Sequence, residues 1–144
     1  MGLLCLTSMV SCINSPIVHK YESLDANGWD ANDTVHFEIP VQSKDMASTL
    51  HIGVRTTEDY PFTDLNLRVI VKRNEKKQTS KDFKINIYGK SGKAEGDGFL
   101  YHENKSTPSV PLDLKADSTY TINIVHKMRR SPICGISDIG ILID

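Results

Sequence analysis

What this sequence lacks first is charge of one sign: its 17 Lys and Arg residues stand against 18 Asp and Glu, for a formal net charge of -1. The two signs are mixed along the chain, so no long-range field gathers a polyanion, and nucleic acid is not an expected partner. Aromatic residues make up only 7% of the chain, with a single tryptophan, and there are three cysteines. No stretch approaches the ~20 consecutive apolar residues of a membrane-spanning helix. Nowhere over ten residues do apolar side chains recur with a 3.6-residue period, which removes the amphipathic helix as a building block. There is no internal repeat, no G-x-S-x-G, no phosphate-cradling glycine loop and no recognisable Ser/His/Asp arrangement. Turn residues come in short clusters, not in tracts, which argues against disorder.

What remains is strict alternation over a chain of 144 residues that is 39% hydrophobic, enough for one domain with a core of its own. In "TVHFEIPV" the residues Val35, Phe37 and Ile39 share a face, with His36 and Glu38 on the other. "STLHIGVRT" does the same with Leu50, Ile52 and Val54, "LNLRVIVKR" with Leu65, Leu67, Val69 and Val71, and "DFKINIYG" with Phe83, Ile85 and Ile87. Further strands are expected over Gly98–His102 and Val110–Leu114, in "TYTINIVHKMR" and in "DIGILI". Turn chemistry closes each run, as in Asn74-Glu75-Lys76-Lys77 and Ala116-Asp117-Ser118. About eight strands at this spacing predict an all-β fold, a single antiparallel β-sandwich of jelly-roll-like type. Pro40 and Pro111 place their segments at sheet edges or strand ends.

The start of the chain reads differently. Residues 2–10, "GLLCLTSMV", form a short apolar run, and Val10-Ser11 lead directly to Cys12. That order resembles a bacterial lipoprotein signal, in which the thiol is acylated and becomes the new N-terminus, although no Lys or Arg precedes Lys20. The resulting division is a signal peptide over 1–11, a lipidated tether over 12–20 and the sandwich over 21–144. The other reading makes Leu3–Val10 a buried strand, with Cys5 and Cys12 in the core or in a disulfide. On the lipoprotein reading Cys134 has no partner and is expected as a small buried apolar residue.

Few residues invite chemistry. His19, His36, His51, His102 and His126 show no metal-ligand spacing, so neither metal nor cofactor is expected. His126 is in phase with Tyr120, Ile122, Ile124 and Met128 and reads as a core histidine bonded to backbone. Glu58, Asp59, Asp64, Glu95 and Asp97 lie in loops, where carboxylates are mostly just solvated, and no enzymatic activity is expected. "KRNEKKQTSK", from Lys72 to Lys81, reads as a soluble hairpin tip, with an anionic polymer or lipid head group as the alternative partner. Trp29 either plugs one end of the sandwich or offers a sugar-stacking platform.

The C-terminal run "YTINIVHKMRRSPICGISDIGILID", together with the lipoprotein-like start, resembles the gliding motility lipoprotein GldH family of the Bacteroidota. Trp29, Asp33, Phe37, Arg55, Tyr60-Pro61-Phe62, Asp64-Leu65 and Gly96-Asp97-Gly98 come in that family's order, and the resemblance runs from Tyr21 to Ile143. It implies a non-enzymatic envelope lipoprotein, tied to the membrane through an N-terminal lipid on Cys12, with other envelope proteins of motility or secretion as partners. The stretch after Cys12 has no acidic cluster of the kind that resembles a surface-export tag, so the periplasmic face of the outer membrane is expected. Candidate interaction or fold-motif residues are Trp29, Arg55, Tyr60, Pro61, Met128, Arg129, Gly135 and Asp138. Arg55 is expected to pair with Glu58 and Asp59 at the end of the sandwich, Met128 and Arg129 to end a strand, and Gly135 and Gly140 to stand where a Cβ would crowd. The second reading is a carbohydrate-binding module, with glycan as ligand and Trp29, Tyr60 or Tyr101 as stacking surfaces.

Overall fold

The computed structural model describes residues 17–89, 92–93, 102–105 and 109–144. Among the described residues there are nine strands: β1 Val18–Ser23, β2 Val35–Val41, β3 Met46–Thr56, β4 Asp64–Arg73, β5 Lys76–Asn86, β6 His102–Lys105, β7 Val110–Leu114, β8 Ser118–His126 and β9 Ile136–Ile143. One sheet has the order β1-β9-β3-β6, with β7 also paired to β3, and the other has the order β2-β8-β4-β5. β6 pairs with Gly53–Thr56 and β7 with Met46–Leu50, so the two form one interrupted strand along a single edge of β3. The nine segments thus occupy eight positions. Successive strands alternate between the sheets except at the β4–β5 hairpin, which is the jelly-roll arrangement expected from the alternation.

The predicted inward faces are the buried ones. Leu50, Ile52, Val54, Leu65, Leu67, Val69 and Val71 have no exposed surface, and Phe37, Phe83 and Ile85 retain no more than 3%. They meet in one core between the sheets. Pro40 lies in β2 and Pro111 in β7, both strands with a free edge, where the missing N–H costs no ladder bond.

Several boundaries differ from expectation. β1 starts at Val18, inside the stretch read as tether, because Val18–Ser23 finds a full ladder against β9. The β4–β5 turn is only Asn74-Glu75, with φ of 47° and 66°, the left-handed pair of a type I′ hairpin. Lys76 and Lys77, expected in the turn, are already in β5, while the basic run from Lys72 to Lys81 does form a hairpin tip as read. β8 stops at His126, which leaves Met128 and Arg129 beyond the strand that was expected to contain them. Residues 1–16, with Cys5 and Cys12, lie outside the described residues, as do Glu95, Gly96-Asp97-Gly98 and Tyr101.

The topology sorts the connections into two ends. Residues 24–34, 57–63 and 127–135, and the connection leaving β5 at Ile87, gather at one end. Among the described residues the opposite end has the connections 42–45, 74–75 and 115–117. Short connections there are tied together: Asp45 accepts from the Ala116 N–H and the Lys115 ammonium, and Asn74 exchanges hydrogen bonds with the Thr119 backbone.

Candidate functional site

Most of the candidate residues converge on the long-loop end, and several of them build it. Trp29 pairs with Ile133 through two backbone hydrogen bonds, 2.8 and 2.9 Å, which join the 24–34 and 127–135 connections. Its ring is 2% exposed and its indole N–H donates to the Asp33 carbonyl at 2.9 Å. The ring edge meets His126, with centroids 5.2 Å apart at 72°. His126 is buried as expected, with Nε2 3.1 Å from the Trp29 carbonyl and Nδ1 accepting the Met128 N–H at 3.3 Å. Those partners assign the proton to Nε2. Burial pushes the imidazole below its usual range, against the opposing pull of the Trp29 carbonyl, so the ring is neutral at physiological pH.

The 57–63 connection is fastened to the same loop from the other side. Gly135 has φ of 84°, and a Cβ on it would collide with the Tyr60 backbone, so only glycine lets the two loops touch. The Thr57 N–H donates to the Gly135 carbonyl at 2.9 Å. Tyr60 is buried, its hydroxyl donating to the Asp64 carbonyl at 2.7 Å, and burial pushes its ionisation far above the ordinary phenol range. Pro61 is exposed, and Phe62 is half-buried with its ring edge-on to Tyr60 at 5.7 Å.

Arg55 and Asp138 face each other in register near the ends of β3 and β9. Arg55 does not meet Glu58 and Asp59 as expected; its guanidinium lies 3.8 Å from the centroid of Tyr21. The reason is a gap in the sheet. Tyr21, Gly140 and Gly53 form one cross-strand row, and the Tyr21 ring lies over both glycines where side chains would otherwise stand. Arg55, next along β3 on that face, packs on the exposed side of the ring. Asp138 accepts hydroxyl hydrogen bonds from Ser23 and Ser137, each 2.8 Å.

Three expectations are corrected here. Cys134 is exposed, not buried, because Ile133 turns inward to bridge Trp29 and the next side chain points out. Met128 is not a strand residue in core phase; it is half-buried in the loop, where its sulfur accepts the Asn66 N–H at 3.4 Å. Trp29 and Tyr60 offer no stacking platform for a sugar, since both rings are spent inside the fold, and Tyr101 lies outside the described residues. Sequence reasoning missed Tyr21, Phe62, Ile133 and Arg130. Only Tyr21 had a signal, in the glycines that interrupt β3 and β9.

Among the described residues, hollows open around this end at three places. One of about 400 Å³ runs beside Trp29 and is lined by Glu22, Ser23, Asp25, Asp33 and His36 among others. A second of about 340 Å³ lies between Asp25, Thr57, Asp59, Cys134 and Ser137. The third, about 320 Å³, is formed by Phe62, Asn66, Lys127, Met128, Arg129 and Arg130. Among the described residues no three His, Cys, Asp or Glu side chains are grouped to hold a metal ion.

Comparison with known proteins shows the family. The gliding motility lipoprotein GldH of Flavobacterium johnsoniae is 24% identical to this chain over 152 residues, spanning 99% of this chain and 94% of that protein. The family model for the GldH lipoprotein matches residues 16–143, from just before β1 to the last residue of β9. That match takes in the Trp29–Ile133 bridge, the Gly135–Tyr60 contact and the Arg55–Tyr21 stack alike, and the chain belongs to the GldH lipoprotein family.

Proposed function

We propose that this protein is a non-enzymatic component of the cell envelope, acylated at Cys12, that takes part in gliding or surface-adhesin movement by holding other envelope proteins. Membership of a lipoprotein family and similarity to a protein named for gliding motility support the assignment. The observation that carries the mechanical part is the polarity of the sandwich. The chain enters β1 at Val18 and runs toward the long-loop end, so an anchor preceding β1 holds the opposite side.

On this reading the candidate residues divide by task. Trp29, Tyr60 and Gly135 keep three connections in one fixed arrangement, while Pro61 and Arg129 are exposed on its surface. A rigid, irregular end on a lipid-tethered domain is suited to binding a protein without turnover, since contacts need not be ordered at the moment of association. The proposed location is the periplasmic face of the outer membrane.

Deleting the gene in its own host tests the function: movement of surface adhesins is expected to stop, and unchanged movement would reject the assignment. The anchor is tested separately by radiolabelled palmitate, which Cys12→Ala is expected to exclude; retained label would reject acylation at that residue. Protease added to intact cells is expected to spare the domain, and cleavage before permeabilisation would place it on the outside.

A further inference from the structure

Of the hollows described at the long-loop end, the one between the 57–63 and 127–135 connections is ringed by cations. Its floor is Phe62 and Met128, both half-buried, and its rim is Lys127, Arg129 and Arg130, all exposed. Loop and sheet hold it open: the Lys127 N–H donates to the Asn66 carbonyl at 2.7 Å, and the Asn66 N–H is given to the Met128 sulfur. Among the described residues no carboxylate lines it. Lys127 is near enough to Asp82 to help hold that carboxyl low, but Arg129 and Arg130 form no ion pair among the described residues. Three cations surround an apolar floor, and two of them, Arg129 and Arg130, have no anion among the described residues.

We propose that this hollow receives a segment of a partner protein in which one apolar side chain is flanked by carboxylates, the side chain resting on Phe62 and Met128 and the carboxylates on Arg129 and Arg130. The inference rests on the reading of the protein as an interaction component. Size favours a single side chain, because about 320 Å³ is at the lower limit of the roughly 300–1,000 Å³ that small-molecule sites occupy. Charge favours carboxylates, and a planar guanidinium binds them through two parallel hydrogen bonds. Position favours protein over lipid. β1 begins at Val18, at the end of the sandwich away from the hollow, so an acylated Cys12 six residues earlier in the sequence favours lipid contact at that other end.

The test uses the full-length protein in its host, with the photoreactive residue p-benzoylphenylalanine at Lys127, followed by mass-spectrometric mapping of the attached peptide. The expected adduct is a protein segment with at least two Asp or Glu within a few residues of a Leu, Ile, Phe or similar side chain. Adding Arg129→Glu and Arg130→Glu is expected to lower its yield about tenfold, as reversal of paired rim charges slows association, and Asp-to-Lys changes in the captured segment are expected to restore it. Adducts with lipid or glycan, adducts with acid-free segments, or yields indifferent to the two reversals would overturn the proposal. A parallel lysine-reactive cross-linking of the unaltered protein separates the two failures. Partners captured there but not through position 127 would remove this hollow and leave the interaction role standing, whereas no partner by either route would remove both.

Discussion

At the scale of single residues, the long-loop end depends on positions that tolerate one chemistry only. Gly135 is the sharpest case: its left-handed backbone and its contact with the Tyr60 backbone both refuse a Cβ. Gly135→Ala is expected to cost about 2–4 kcal/mol, summing conformational strain and overpacking, measured by urea denaturation; a loss within error of zero would mean that the loops separate freely. His126 makes the second case. Its folded pKa lies below the unfolded value of 6.5, so the unfolded chain binds the extra proton first. Stability from this residue is complete above about pH 6.5 and falls as pH drops below that value toward the folded pKa. His126→Gln is expected to flatten unfolding free energy against pH in that window, and an unchanged slope would contradict the burial argument. A second acid-side loss belongs to Asp45 and Asp82, held low by the Ala116 N–H and Arg68 respectively. Their contribution persists above the ordinary carboxylate range and disappears only as pH falls below about 3.8 toward the folded values.

At the scale of elements, the strands were legible and the connections were not, for a physical reason. An inward face is written in every second residue, so Leu50-Ile52-Val54 and Leu65-Leu67-Val69-Val71 declare themselves from local pattern. A loop's conformation depends on what it touches. Nothing near Ile133 in sequence says that it will bridge Trp29 and thereby turn Cys134 outward. Arg55 was sent to the nearest carboxylates, but the cross-strand row of Tyr21, Gly140 and Gly53 gave it an aromatic face. The β4–β5 hairpin was read as a longer turn because Asn74-Glu75 lacks the glycine usual in a type I′ turn. Glu75→Gly is accordingly expected to raise stability by about 0.5 kcal/mol, as left-handed strain is relieved and a weak surface contact with Lys72 is lost. A decrease would show that Glu75 contributes more through Lys72 and Thr121 than its backbone costs.

The same comparison applies to Tyr21. Glycine on neighbouring strands leaves the sheet uncovered, and the Tyr21 ring replaces the missing side chains. Tyr21→Ala is expected to loosen β1 while leaving the β2-β8-β4-β5 sheet intact. Amide hydrogen exchange would show this as faster exchange along Val18–Ser23 and its β9 partners; uniform acceleration across both sheets would mean that β1 is part of one cooperative unit.

At the scale of the whole molecule, the account is one of polarity: short, mutually bonded connections at one end, long and rigidly fastened ones at the other, with the chain entering β1 toward the latter. The family places the protein among envelope lipoproteins, and the proposed division of labour puts the anchor and the binding surface on opposite sides of one sandwich. The most direct test is in-cell cross-linking of the full-length lipoprotein, with every cross-linked residue mapped onto the fold. The account predicts recurrent capture of motility or secretion proteins through residues of the 24–34, 57–63 and 127–135 connections. Capture of glycan alone, or contacts confined to the 42–45, 74–75 and 115–117 end, would contradict it.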